Sequence, residues 1–526
     1  MSYHQHPYLN GTLLKESEPL FRYLPPYPEG VYSDWAAGDA GIKKGDWILD
    51  PFGASPYAAL ELAAQGYRVL MLSNNPVINF ITEVLAESPS ELDFKAALSE
   101  LTKIRRGDEW LDQHLNNLYS TQCPSCNSPI AASAFLWRKG DNTPYACIYR
   151  CDKCQSEGEK PCSQTDIEQL NRIGSDKLHR ARALQRVIDL NSDAQDDVLE
   201  ILGHYLTRPL YFITTLINKI EGSDMPVQRQ KLLYALILSI CDQGNTLWGH
   251  PSGRTRPKQL LTPAVFKELN LWAVLESSIK NWSNRYSPVE LCRYPAAPLS
   301  NGICLLSGRL RTLAELPDSI TPAAVICTLP RPNQAFWSLS AIWSGWLWGK
   351  ENVDPMKSML ERKRFDWNWL DNALALSFSH LNRLLPDGIP FFTIFSELDP
   401  GFITAGLHAA ASTGLSIKAA ALCEEDDLLQ TWWNNNKTSK NIKNSPGLES
   451  NLRQSVISFL SQIVEPASYI RLLSHALLES CDNYSIVQKS SKSQTLSSIR
   501  LIQNNFDSIL NHTSSVIGFQ QEHTGI

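Results

Sequence analysis

The chain has 526 residues, 43% of them hydrophobic and 19% charged, and a formal net charge of −6. At about 150 residues per structural unit that length allows two to four units, and the mild negative charge excludes a globally basic nucleic-acid binder, so such a partner would have to meet a local basic patch. Twelve cysteines without a secretory pattern, and no apolar run near the roughly 20 residues of a membrane span, predict a reducing, soluble, cytoplasmic setting.

In chain order, residues 1–44 are rich in proline and aromatics, as in Tyr23-Leu24-Pro25-Pro26-Tyr27-Pro28. They show no sustained period, which predicts extended backbone wrapping the first sheet. Trp47, Ile48 and Leu49 are too few for a helix but suit a buried parallel strand ending at Asp50, with a turn behind it. Ala, Leu and Glu favour a short helix from Tyr57 to Gln65, closed by Gly66 in the left-handed region. Tyr67 to Leu72 is a second apolar run. Strand, turn, helix, strand is the opening of a doubly wound, Rossmann-like α/β sheet, in which a ligand sits beyond the carboxyl ends of the strands.

At those ends stand Asp50-Pro51-Phe52-Gly53-Ala54-Ser55 and, after the second strand, Ser73-Asn74-Asn75-Pro76. This pattern resembles the S-adenosylmethionine turn of the amino-group (adenine-specific) DNA methyltransferase family, which reads Asp-Pro-Phe-x-Gly-Ser-Gly-Thr with an acid closing the second strand. The resemblance implies a methyltransferase sheet with Asp50, Phe52, Gly53, Ser55, Ser73 and Asn74 as cofactor-binding positions. Here Ala54, Pro56 and Tyr57 replace Gly, Gly and Thr, and Ser73 replaces the acid. Alanine reaches positive φ only at a cost, proline cannot, and a neutral hydroxyl holds ribose less strongly than a carboxylate. Weak or absent binding of S-adenosylmethionine is therefore expected.

Helical spacing resumes from Pro76 to Glu100 and is assigned to core. Cys123-Pro-Ser-Cys126 and Cys151-Asp-Lys-Cys154 follow. Two such knuckles about two dozen residues apart place four thiolates within tetrahedral reach of one zinc ion, with the alternating segments Ala134 to Arg138 and Tyr145 to Arg150 as an antiparallel ribbon. Cys147 and Cys162 are spare, either able to replace one ligand. Arg138 and Lys139 in the ribbon, and Arg254, Arg256 and Lys258 in a Gly- and Pro-rich loop, are candidate nucleic-acid contacts. Asp176 to about Ser283 reads as mostly helical.

Ala324 to Cys327 is a buried strand running into Thr328-Leu329-Pro330-Arg331-Pro332, then a Trp-rich helix through Trp337, Trp343, Trp346 and Trp348. In a zinc-ribbon-containing branch of the same family this place reads Thr-Asp-Pro-Pro-Tyr. The resemblance implies that an Asp or Asn there accepts from the exocyclic amine of an extruded base while the Tyr stacks on it. Leu329 lacks the acceptor, Arg331 replaces a proline and Pro332 replaces the ring, so amine transfer by that route should fail.

A helix from Trp367 to Leu385, a strand from Ile389 to Phe395, a helix from Gly401 to Ser412 and a strand from Leu415 to Leu422 resemble the late half of that sheet. From Glu424 the chain turns polar and then helical. The expected division is thus an N-terminal segment (1–44), a methyltransferase-like α/β domain (45–100 and 300–425), a zinc-ribbon insertion (101–170), a helical insertion (171–299) and a helical C-terminal extension (426–526). The functional expectation is a catalytically degenerate DNA-methyltransferase-like protein acting as a DNA-binding or scaffold subunit, with DNA and an active methyltransferase or other modification-system subunit as partners. An active S-adenosylmethionine-dependent enzyme with a rearranged site, and a zinc-ribbon protein-interaction module, are the alternatives.

Overall fold

The computed structural model describes residues 4–13, 18–189, 191–251, 257–361, 365–435, 447–463, 465–483, 485–487 and 498–517. Nine strands form one large sheet: β1 (His4–Gln5), β2 (Trp47–Asp50), β3 (Arg68–Ser73), β4 (Leu291–Arg293), β5 (Gly302–Ser307), β6 (Pro322–Thr328), β7 (Pro390–Phe395), β8 (Leu415–Cys423) and β9 (Leu428–Asn435). Their spatial order is β1-β8-β9-β7-β6-β2-β3-β5-β4. Every pairing is parallel except those of β9, which runs antiparallel to both β7 and β8.

The two-residue period of the strands sorts their side chains into two cores. Ile48, Val69, Met71 and Ile326 face the layer containing α1 (Pro56–Ala64), α2 (Pro76–Glu87) and α3 (Gln334–Trp348). Leu49, Leu70, Val325 and Cys327 face the layer of α4 (Trp367–Leu384), α5 (Pro400–Ser412) and the last three helices. The result is a mixed sheet between two helical layers. Gly66, at φ +103°, ends the first helix in the left-handed region as expected. No described helix is long and apolar enough to cross a membrane.

Three segments differ from the sequence expectation. The N-terminal segment is not simply extended: it contains a helical turn at Val31–Asp34 followed by a π-helical turn at Trp35–Asp39. Glu61 on α1 holds it, accepting from Gly30 N at 2.8 Å, Ser33 N at 2.9 Å and the Tyr27 hydroxyl. The region after residue 425 is not all helical, since β9 lies inside the sheet. Its polar residues satisfy themselves there: Gln430 accepts from Leu9 N (3.0 Å) and donates to Leu9 O (2.8 Å), and Thr431 pairs with Thr393. Finally, the helical insertion carries two strands, β4 at the sheet edge and Val265–Leu269.

That second strand completes the ribbon. Glu157–Pro161, Ala146–Arg150, Pro129–Arg138 and Val265–Leu269 lie side by side, all antiparallel, with Ser120–Gln122 also on Pro129–Arg138. Its attachment to the helices is a buried ion pair. Arg208 Nε lies 3.1 Å from Glu268 Oε1 with both side chains at most 1% exposed. Trp137 Nε1 donates to Glu268 Oε2 at 2.7 Å, and Arg208 donates to Leu118 O at 3.0 Å while its guanidinium sits 4.2 Å from the Phe135 ring.

Candidate functional site

The carboxyl ends of β2, β3, β5 and β6 open onto a cleft of about 620 Å³, whose walls include Phe52, Gly53, Ser73, Asn74, Pro330 and Arg331. The first turn is held by Asp50. Its Oδ1 accepts from Phe52 N (3.2 Å) and Gly53 N (3.0 Å), an Asx turn that aims the next residues at the cleft. Gly53 has φ +49°, and a Cβ there would meet Leu72 O at 2.6 Å, so this position requires glycine both for its conformation and for its approach to β3. Ser55, expected at the cofactor, is instead buried at the head of α1, makes no side-chain capping hydrogen bond and does not line the cleft. Ser73 Oγ accepts from Asn75 N at 3.2 Å, and Ser73, Asn74 and Asn75 all stand on the cleft wall at that strand end.

Burial pushes the Asp50 carboxyl up to about 7, against the opposing pull of the Gly53 and Phe52 N–H groups. A folded-state value above the unfolded one means that the stability this proton lends is complete below about pH 4 and is lost as pH rises through about 7. Asp50→Asn keeps an acceptor for both N–H groups. Its advantage over wild type in urea unfolding should grow between pH 4 and pH 8 by on the order of 3 kcal/mol, whereas a pH-independent difference would place the ionisable group elsewhere.

In the Thr328–Pro332 segment, successive side chains take different directions. Thr328 lies 2.5 Å from the Tyr32 hydroxyl, buried. Leu329 N donates to Ile394 O at 3.0 Å, and its side chain is 1% exposed beside Gly406 of α5. Pro330 and Arg331 reach the cleft wall, and Pro332 does not line it. Arg331 is folded back onto acids: its Nε is 2.9 Å from Glu397 Oε2 and its Nη2 3.5 Å from Asp399 Oδ2. Lys258 takes the other Glu397 oxygen at 2.5 Å, so this nucleic-acid candidate is committed to an ion pair. Of the other candidates, Arg138 is exposed with its guanidinium 4.4 Å over the Tyr145 ring, and Lys139 is exposed beside it. Arg254 and Arg256 lie outside the described residues. In the Trp-rich helix, Trp343 and Trp346 are core, while Trp337 lines the cleft with Trp369 at 5.8 Å.

The four knuckle cysteines converge. The Sγ atoms of Cys123, Cys126, Cys151 and Cys154 all lie within 4.8 Å of one another, with Cys123–Cys154 at 3.6 Å and Cys126–Cys151 at 3.7 Å. The two halves repeat one local design. Asn127 (φ +57°) and Gln155 (φ +58°) turn the chain just after each second cysteine, and their N–H groups return to Cys123 O (2.9 Å) and Cys151 O (2.8 Å). Although the Ser156 N–H favours its thiolate, burial and the adjacent cysteines push Cys154 up to about 12. Four thiolates at this spacing need a cation between them, and an all-sulfur tetrahedral set is compatible with zinc. Cys147 and Cys162 are not part of this cluster.

Comparisons with protein-family models, curated proteins and solved structures returned no match. The sequence reading did not single out the basic groups Arg309 and Arg311, in the loop after β5, or Tyr23 and Trp369, all of which line the cleft. For the two arginines the Ser307-Gly-Arg-Leu-Arg311 run was the local signal.

Proposed function

We propose that this chain is a DNA-methyltransferase-like protein that has lost methyl transfer and serves as a DNA-binding or scaffold subunit in a modification system. The strand order supports a methyltransferase-type sheet: eight parallel strands and one antiparallel hairpin strand, β9, set between β7 and β8, with a cleft at the carboxyl ends of the central ones. The observation that carries the loss of catalysis is at the motif. Leu329 is turned into the core, and Arg331 is locked onto Glu397 and Asp399, where an acceptor for a base amine would be needed. A zinc-stapled ribbon presenting Arg138 and Lys139 supplies a local cationic face on an otherwise mildly acidic chain.

A second reading, an active enzyme with a rearranged site, is favoured by one feature only, the survival of a cleft between Gly53 and Pro330. Two measurements separate the readings. Calorimetric titration with S-adenosylmethionine should be silent, and micromolar binding would restore the enzyme. Gel retardation should show duplex or single-stranded DNA bound at low salt and released as salt rises. No retardation of either would leave a protein-interaction module.

A further inference from the structure

The walls of the 620 Å³ cleft have an unusual charge balance. Among the described residues lining it there is no Asp or Glu, while Arg309 and Arg311 both face it. Arg309 is positioned by donating to Pro355 O at 3.5 Å, and neither arginine makes an ion pair among the described residues. This differs from Arg331 across the cleft, whose charge Glu397 and Asp399 already balance. The adjoining hollow of about 490 Å³, reached past Ser73 and Asn74, does hold acids, but Glu83 there is paired with Arg293.

Among aliphatic and neutral polar groups, the wall also carries five aromatic side chains, Tyr23, Phe52, Phe336, Trp337 and Trp369. Flat rings of this kind stack on a base without regard to its sequence, and guanidinium groups hold phosphate oxygens by charge-assisted, often paired hydrogen bonds. The same field opposes S-adenosylmethionine, which carries a net positive charge through its sulfonium and has no acid on β3 to grip its ribose.

We propose that this cleft binds a phosphorylated nucleotide, its base among the aromatic rings and its phosphates against Arg309 and Arg311. The inference rests on the reading above and deepens it: the donor cleft of a methyltransferase-like sheet is refitted from a sulfonium ligand to an anionic one.

Isothermal titration of the full chain with ATP and with adenosine tests it. ATP should bind at least about 10-fold tighter than adenosine, and the margin should shrink as salt is raised. The double variant R309A/R311A, altered at two cleft-wall positions outside the core, should lose the margin while adenosine affinity stays unchanged. Equal affinities, no binding of ATP, or a margin that survives in the double variant would overturn the proposal. Gel retardation on the same preparations keeps the two readings apart. DNA bound without ATP binding removes only this inference, and ATP bound with no DNA retained removes the DNA-binding role instead.

Discussion

Cys151→Ser should strip the metal from the ribbon and unfold it. Four Sγ atoms within 4.8 Å of one another form the interior of the knuckle pair, and among the described residues the apolar side chains clustered with them are Tyr149 and Ile130. That is too little apolar surface for so short a segment to stay folded unaided, and a structural zinc supplies about 10–16 kcal/mol to sites of this kind. Metal analysis should show one zinc per chain in the wild type and none in the variant, with new protease cleavage between residues 120 and 161. Chelation of the wild type should reproduce the pattern. Cys162→Ser, outside the cluster, should keep its zinc, and full metal content in Cys151→Ser would refute the ligand set.

Glu268→Ala should cost about 3–5 kcal/mol, because it leaves the Arg208 guanidinium charged and enclosed. The partners it abandons include Trp137 Nε1 at 2.7 Å. Burial already pushes the Glu268 carboxyl above its ordinary value against the pull of Arg208, so the pair survives by its geometry rather than by any gain from being buried. Arg208→Met should cost a similar amount. Combined as R208M/E268L, the two changes should be less harmful than either alone, since an apolar pair fills the space without an orphaned charge. Additive losses in urea unfolding would show that the two groups do not act as a unit.

Much of the sheet was legible in the sequence because its strands are short apolar runs bounded by turn residues. β2, α1, Gly66 and β3 came from that pattern, as did the knuckle cysteines, whose ligand types and spacing admit few other chemistries. What was not legible depends on distant partners. Gln430 and Thr431 give β9 the look of a loop, and only Leu9 and Thr393, remote in the chain, make them acceptable inside. Val265–Leu269 reads Val-Phe-Lys-Glu-Leu with no apolar–polar alternation, its buried face being Phe266 and Glu268, and its hydrogen-bonding partner begins about 130 residues earlier.

At the site, the departures from the methyltransferase pattern could be read residue by residue, yet their outcome could not. Nothing local shows that Leu329 turns into the core, or that Arg331 and Lys258 share Glu397. The aromatic and cationic lining of the cleft is likewise assembled from separate segments, with Tyr23, Arg309, Trp337 and Trp369 meeting only in the fold.

The borrowed edge strand of the ribbon sets a limit on how this polypeptide can be divided. A fragment ending near residue 170 would contain every sulfur ligand yet leave the Ala134–Arg138 backbone with a row of unsatisfied amides and carbonyls on the side that Val265–Leu269 closes. The two insertions are therefore one cooperative object, begun by the cysteines and finished only when the chain returns more than a hundred residues later. Excising the piece that bears the four clustered cysteines as a portable cassette would yield a sticky half-sheet rather than a module.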